Sequence, residues 1–119
     1  MKISEIKNMK RTPEMPVGTT EEVTFKKIQY RTNAEGDITG VFVHIEEYRS
    51  LFIPFFEEDN FQLDLLLQQL SCDSYDPEEI NKCAGTIIKA TRYERVTESG
   101  TYTNTSFNPR GAEAEETFA

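Results

Sequence analysis

The residues best suited to chemistry are few. His44, the sole histidine, stands two positions before Glu46, a pair that could pass a proton, but no nucleophile is placed by sequence to use it. Glu46 and Glu47 alternate along an extended chain, so their carboxylates point to opposite faces and make a poor acid–base pair. The six glycines are scattered singly and none precedes a Lys-Ser/Thr pair, which excludes a phosphate-cradling loop. Cys72 and Cys83, with one histidine elsewhere, are too few ligands for a zinc site, and a structural role as reduced thiols is the expectation for both. The chain is therefore expected to have no catalytic residue, no cofactor and no metal.

What remains is a constellation of aromatic and basic side chains. Phe42 and Phe52 fall on the faces of their segments opposite the aliphatic residues, and Lys26, Gln29 and Arg31 share that side, with Arg49 close by. Two outward phenylalanines are costly to leave in water, at about 25 cal/mol per Å² of apolar surface. Stacked bases would cover them while lysine and arginine neutralise phosphates, and a second protomer would cover them equally well. A later stretch repeats the character with Lys89, Arg92, Tyr93 and Arg95, then Tyr102 and Asn104. There the adjacent Ile87 and Ile88 make both parities plausible, so alternation leaves open whether Tyr93 and Tyr102 face the core or a ligand.

The elements that must position these groups follow from periodicity. Val23 to Arg31 reads as a first strand whose inward parity changes between Lys26 and Lys27, as a β-bulge would produce. Ile38 to Glu46 and Tyr48 to Phe55 alternate cleanly, and Pro54 should lie near an edge or terminus. Leu63, Leu66, Leu67 and Leu70 form a helical stripe, with Asp59 and Asn60 as caps and Glu57, Glu58 and Asp59 favouring the helix N-terminus. Asp76, Pro77 and Glu79 predict a second short helix opened by a capping box. Thr86–Arg95 and Thr101–Phe107 complete a hairpin turned at residues 97–100. The expectation is a mainly β chain with one or two short helices, built as a five-stranded OB-fold barrel with a helix between strands 3 and 4. Small barrels of this kind need one bent strand that pairs on both sides.

The length of 119 residues allows one domain. The reading divides it into an N-terminal arm over 1–20, the barrel over 21–109 and an acidic flexible tail over 110–119. The arm is a loosely attached segment made basic by Lys7, Lys10 and Arg11. No apolar run is long enough for a signal peptide or a membrane span, so a cytoplasmic protein is expected. The net charge of −8 is uneven. Residues 57–79 hold eight acidic and no basic side chains, and the tail adds Glu113, Glu115 and Glu116. Outside these two places the chain is slightly basic, which permits a surface for nucleic acid.

The run Gly85-Thr86-Ile87-Ile88-Lys89-Ala90-Thr91-Arg92-Tyr93, a short polar turn and Tyr102-Thr103-Asn104-Thr105-Ser106-Phe107 resemble the last hairpin of small phage-encoded single-stranded DNA-binding proteins, the lactococcal phage type in particular. Size, strand order and acidic C-terminus extend the resemblance over roughly residues 20–119. It implies an OB fold that binds single-stranded DNA without sequence preference during phage DNA replication and recombination, in the host cytoplasm. It also implies a homo-oligomer, dimer or tetramer, and a tail that contacts recombinase or replication proteins through Glu115, Glu116 and Phe118. In the bacterial homologues the tail aromatic is terminal, whereas Phe118 is followed by Ala119.

DNA contacts are then expected from Lys26, Arg31, Phe42, Arg49 and Phe52. The hairpin would add Lys89, Arg92, Tyr93 and Tyr102. The competing expectation is an acidic interaction or inhibitor protein that imitates DNA charge toward a host nucleic-acid enzyme.

Overall fold

The computed structural model describes residues 12–55 and 61–111, apart from the side chain of Phe61. Five antiparallel strands and two short helices follow one another as β1 (Thr20–Thr32), β2 (Ile38–Ile45), β3 (Leu51–Pro54), α1 (Phe61–Leu70), α2 (Pro77–Asn81), β4 (Ile87–Thr97) and β5 (Gly100–Ser106). They form one sheet in the order β3-β2-β1-β4-β5. The first half of β1 pairs with β4, Thr20 opposite Thr91 through Thr24 opposite Ile87. Its second half pairs with β2, and the register slips between Phe25 and Lys27, where the change of parity lies.

The bulge turns the sheet on itself, because one strand serves two neighbours that face different ways. The edge strands β3 and β5 come into contact across the resulting curl, but no ladder joins them. The sheet is thus not closed into a barrel. Val23, Phe25, Val41, Val43, Leu51, Ile53 and Ile88 point inward and are all buried. Leu63, Leu66, Leu67 and Leu70 of α1 cover the same core, as the stripe requires. Residues 12–18 cross from the β2–β3 connection to β4: Arg49 N–H donates to Pro13 O at 2.9 Å, and Gly18 N–H to Arg92 O at 2.8 Å. Met15, between them, is 1% exposed and belongs to the core.

Two details differ from the sequence expectation. β3 begins at Leu51 rather than Tyr48, because the backbone of Arg49 is bonded to Pro13 instead of β2. Nearby, the Glu47 carboxylate accepts from the backbone N–H and the hydroxyl of Thr24, each at 2.7 Å, and ends the β1–β2 pairing. In α2, Asp76 accepts from the N–H of Glu78 at 3.0 Å, as an N-cap should. The Glu79 carboxylate, however, accepts from Lys82 Nζ at 2.9 Å instead of completing a capping box. The expected caps Asp59 and Asn60, with Glu57 and Glu58, lie outside the described residues.

Gln69 joins helix to sheet. Its carboxamide donates to Lys89 O at 2.8 Å and Phe107 O at 2.7 Å, and accepts from Lys89 N–H at 2.7 Å. It therefore stands where a strand residue would satisfy β4 beyond the end of its pairing with β5. Replacing it with leucine strands three backbone groups, so Gln69→Leu should cost roughly 2–4 kcal/mol in chemical denaturation. The exposed Gln68→Ala should change stability by less than about 0.5 kcal/mol. Equal effects from the two would refute this bridging role.

Candidate nucleic-acid interface

On the outer face of the first three strands, Gln29, Phe42 and Phe52 stand side by side in register. The two rings lie 4.9 Å apart between centroids at an interplanar angle of 44°, a tilted pair. Arg31 sits opposite Gly40 in β2, and its guanidinium carbon is 5.6 Å from the centroid of Phe52. Gly40 makes this cluster possible. A Cβ there would lie 2.5 Å from Phe52 Cζ and 2.8 Å from Ile53 O, so the ring rests where any other side chain would begin. Both phenylalanines are consequently half-buried within their own chain, rather than fully exposed as the outward parity suggests.

His44 adjoins the rings. Its Nδ1 meets the Ser50 hydroxyl and its Nε2 lies 3.3 Å from Gln29 Oε1. A neutral imidazole fits both partners, accepting from serine and donating to glutamine. Burial, followed by the charges of Lys27 and Lys26, pushes its pKa below the ordinary 6.5.

Between the facing edges of β3 and β5 runs a groove of about 970 Å³, lined among others by Arg49, Phe52, Arg92, Arg95 and Tyr102. Among the described residues Glu14 is the one carboxylate on its walls, against three arginines. That carboxylate spans two of them, 3.6 Å from Arg49 and 3.7 Å from Arg92. Both guanidiniums are also fixed by the crossing segment: Arg49 Nε donates to Thr12 O at 2.9 Å and Arg92 Nη1 to Met15 O at 2.7 Å. Arg95 and Tyr102 face each other across the hairpin and remain exposed. Phe52 is common to the groove and the outer cluster, so the two surfaces are continuous.

The sequence candidates divide accordingly. Arg49, Phe52, Arg92 and Tyr102 share the groove, and Phe42 and Arg31 adjoin it through the Phe52 ring. Lys26 is exposed at the bulge, close enough to act on His44. Lys89 stands apart, opposite Glu22 and beside Gln69. Tyr93 is half-buried opposite Asn104, on the face of the hairpin that carries Arg95 and Tyr102, but it does not line the groove. Glu115, Glu116 and Phe118 lie outside the described residues. Glu14 was not legible as part of any site, because the segment before β1 reads as a solvated arm. Arg95 carried a signal, its place opposite Tyr102 in the hairpin register.

Among the described residues no cluster of three or more histidine, cysteine, aspartate or glutamate side chains could hold a metal, and no helix is long and apolar enough to cross a membrane. Compared with known proteins, the sequence matches no family model and no curated protein.

Two outcomes follow. Gly40→Ala should cost about 1–3 kcal/mol in thermal or chemical unfolding, because the Phe52 ring and the Ile53 carbonyl must both move. An unchanged stability would place the ring elsewhere. In a proton NMR titration of the sole imidazole, the midpoint should fall below 6.5. The stability His44 contributes is then present above pH 6.5 and lost as pH falls through the lower folded value. A midpoint at or above 6.5 contradicts the neutral hydrogen-bonded ring.

Proposed function

We propose that this chain binds single-stranded DNA without sequence preference, in a phage replication and recombination setting, through an OB-type barrel left open between β3 and β5. The observation that carries the reading is the arginine-lined groove that runs into the Phe42–Phe52 cluster. Cations along a groove neutralise phosphates, and adjoining ring faces accept any base, which is the combination that sequence-tolerant single-strand binding requires. The strand order, with β1 paired to both β2 and β4 and a helix between β3 and β4, supports the OB assignment. The function is one of binding, without catalysis. Self-association and tail contacts with recombination or replication proteins remain parts of the same proposal, carried by the family resemblance.

The negative charge does not oppose this reading. No described residue of the acidic 57–79 block lines the groove. Three of its carboxylates have local partners: Asp64 accepts from Tyr75 Oη, Asp76 caps α2, and Glu79 pairs with Lys82. An inhibitor that imitates DNA would need those carboxylates free and aligned.

Fluorescence anisotropy with labelled oligothymidine and a duplex control tests the proposal. Binding should favour the single strand and weaken with salt, at a log–log slope of about −0.7 per phosphate contacted. Phe52→Ala should cost roughly 1–3 kcal/mol of affinity, as should Phe42→Ala if both rings stack. Glu14→Gln should tighten binding at low salt, since it frees Arg49 and Arg92 for phosphate. Folded protein that binds neither nucleic acid at low salt would overturn the proposal. Intact affinity in the phenylalanine variants, with an oligomer dissociating in light scattering, would assign the rings to a protomer interface.

A further inference from the structure

Cys72 and Cys83 take no part in the groove, yet the fold brings them together. Cys72 follows the last turn of α1, where its N–H donates to Leu67 O at 3.0 Å. Cys83 follows α2, and its thiol donates to Leu70 O at 3.7 Å, a carbonyl only two residues before Cys72. The Cys72 thiol points to Ser74 O at 3.6 Å. Both side chains are half-buried against the core, and the Leu70 carbonyl met by the Cys83 thiol sets Cys83 against the end of α1 that Cys72 follows. The ten residues between them hold most of the α1–α2 connection and all of α2.

We infer that Cys72 and Cys83 form a dithiol site that small-molecule disulfides convert reversibly to an intramolecular disulfide. In the first step the thiolate of one cysteine attacks a sulfur of the reagent; the reagent's S–S bond breaks and one thiolate leaves, taking up a proton. The second cysteine then attacks the mixed disulfide, forms the Cys72–Cys83 bond and expels the other reagent thiolate. Two cysteine thiols are oxidised and one disulfide is reduced to two thiols, so electrons and protons balance. Burial and the neighbouring Cys72 push the Cys83 thiol up, so exchange accelerates as pH rises.

The bond would pin a segment that β1 depends on. Asn81 Oδ1 accepts from Ile28 N–H at 2.9 Å just past the bulge, and Tyr30 Oη donates to Tyr75 O at 2.6 Å. Closing the 72–83 loop restricts the unfolded chain while leaving these contacts in place.

The full chain, incubated at pH 8.5 with oxidised glutathione and quenched in acid, tests the site by intact mass. The expected product has lost two hydrogens, carries no glutathione, has no free thiol, and reverts with dithiothreitol. Its Tm should rise by roughly 10 °C. Cys72→Ser and Cys83→Ser should each retain one glutathione instead. Stable glutathione adducts on both wild-type cysteines, disulfide-linked dimers as the main product, or thiols that react only after denaturation would each overturn the inference.

Discussion

The constraint on which the other features rest is the bulge in β1 between Phe25 and Lys27. Without it, a strand of thirteen residues would carry one face of side chains from end to end and pair within a flat sheet. With it, Val23 and Phe25 point into the same core as Ile28, although their parity differs. The strand can then hand its first half to β4 and its second to β2. The curl that follows brings β3 toward β5, and the gap between those edges is the groove. The bulge also leaves the N–H of Ile28 turned away from β2, and Asn81 of α2 satisfies it. A backbone irregularity in one strand thus determines where the helices dock and where a ligand could enter.

Around the groove, polar side chains replace backbone pairing that the open sheet lacks. Gln69 satisfies β4 where β5 has diverged, and Gln62 accepts from the Phe107 N–H at 2.7 Å. Arg49 and Arg92 hold the crossing segment by its carbonyls, which seats Met15 in the core. These contacts fix the two arginines in place before any ligand arrives, and a preorganised cation loses less freedom on binding phosphate. Glu14 has the opposite effect on the same pair, since it occupies the cations that an incoming phosphate would use.

Much of the fold was legible in the sequence because burial imposes a period. The alternation of Val41, Val43 and Ile45, the leucine stripe of α1 and the parity change at Lys26–Lys27 each leave a mark that one residue's shift would erase. The outward placement of Phe42 and Phe52 followed from the same rule. Their mutual cover did not, because it depends on Gly40 opposite Arg31, and a lone glycine in a strand has several readings. The start of β3, the bridging role of Gln69 and the place of Glu14 were equally hidden. Each depends on a contact between segments distant in the chain, for which local pattern carries no signal. The register of the hairpin sets Tyr93 and Tyr102 on one face, opposite Asn104 and Arg95, a placement that the adjacent Ile87 and Ile88 leave open in the sequence.

In the proposed function, single-stranded DNA occupies the groove between β3 and β5 and runs onto the phenylalanine cluster. The most direct measurement is an amide chemical-shift titration of isotopically labelled protein with oligothymidine. The largest changes should gather at Arg49, Phe52, Arg95, Tyr102 and Phe42, with little change across α2 or at Lys89. Changes centred on the acidic α1–α2 surface, or none in folded protein at low salt, would contradict it.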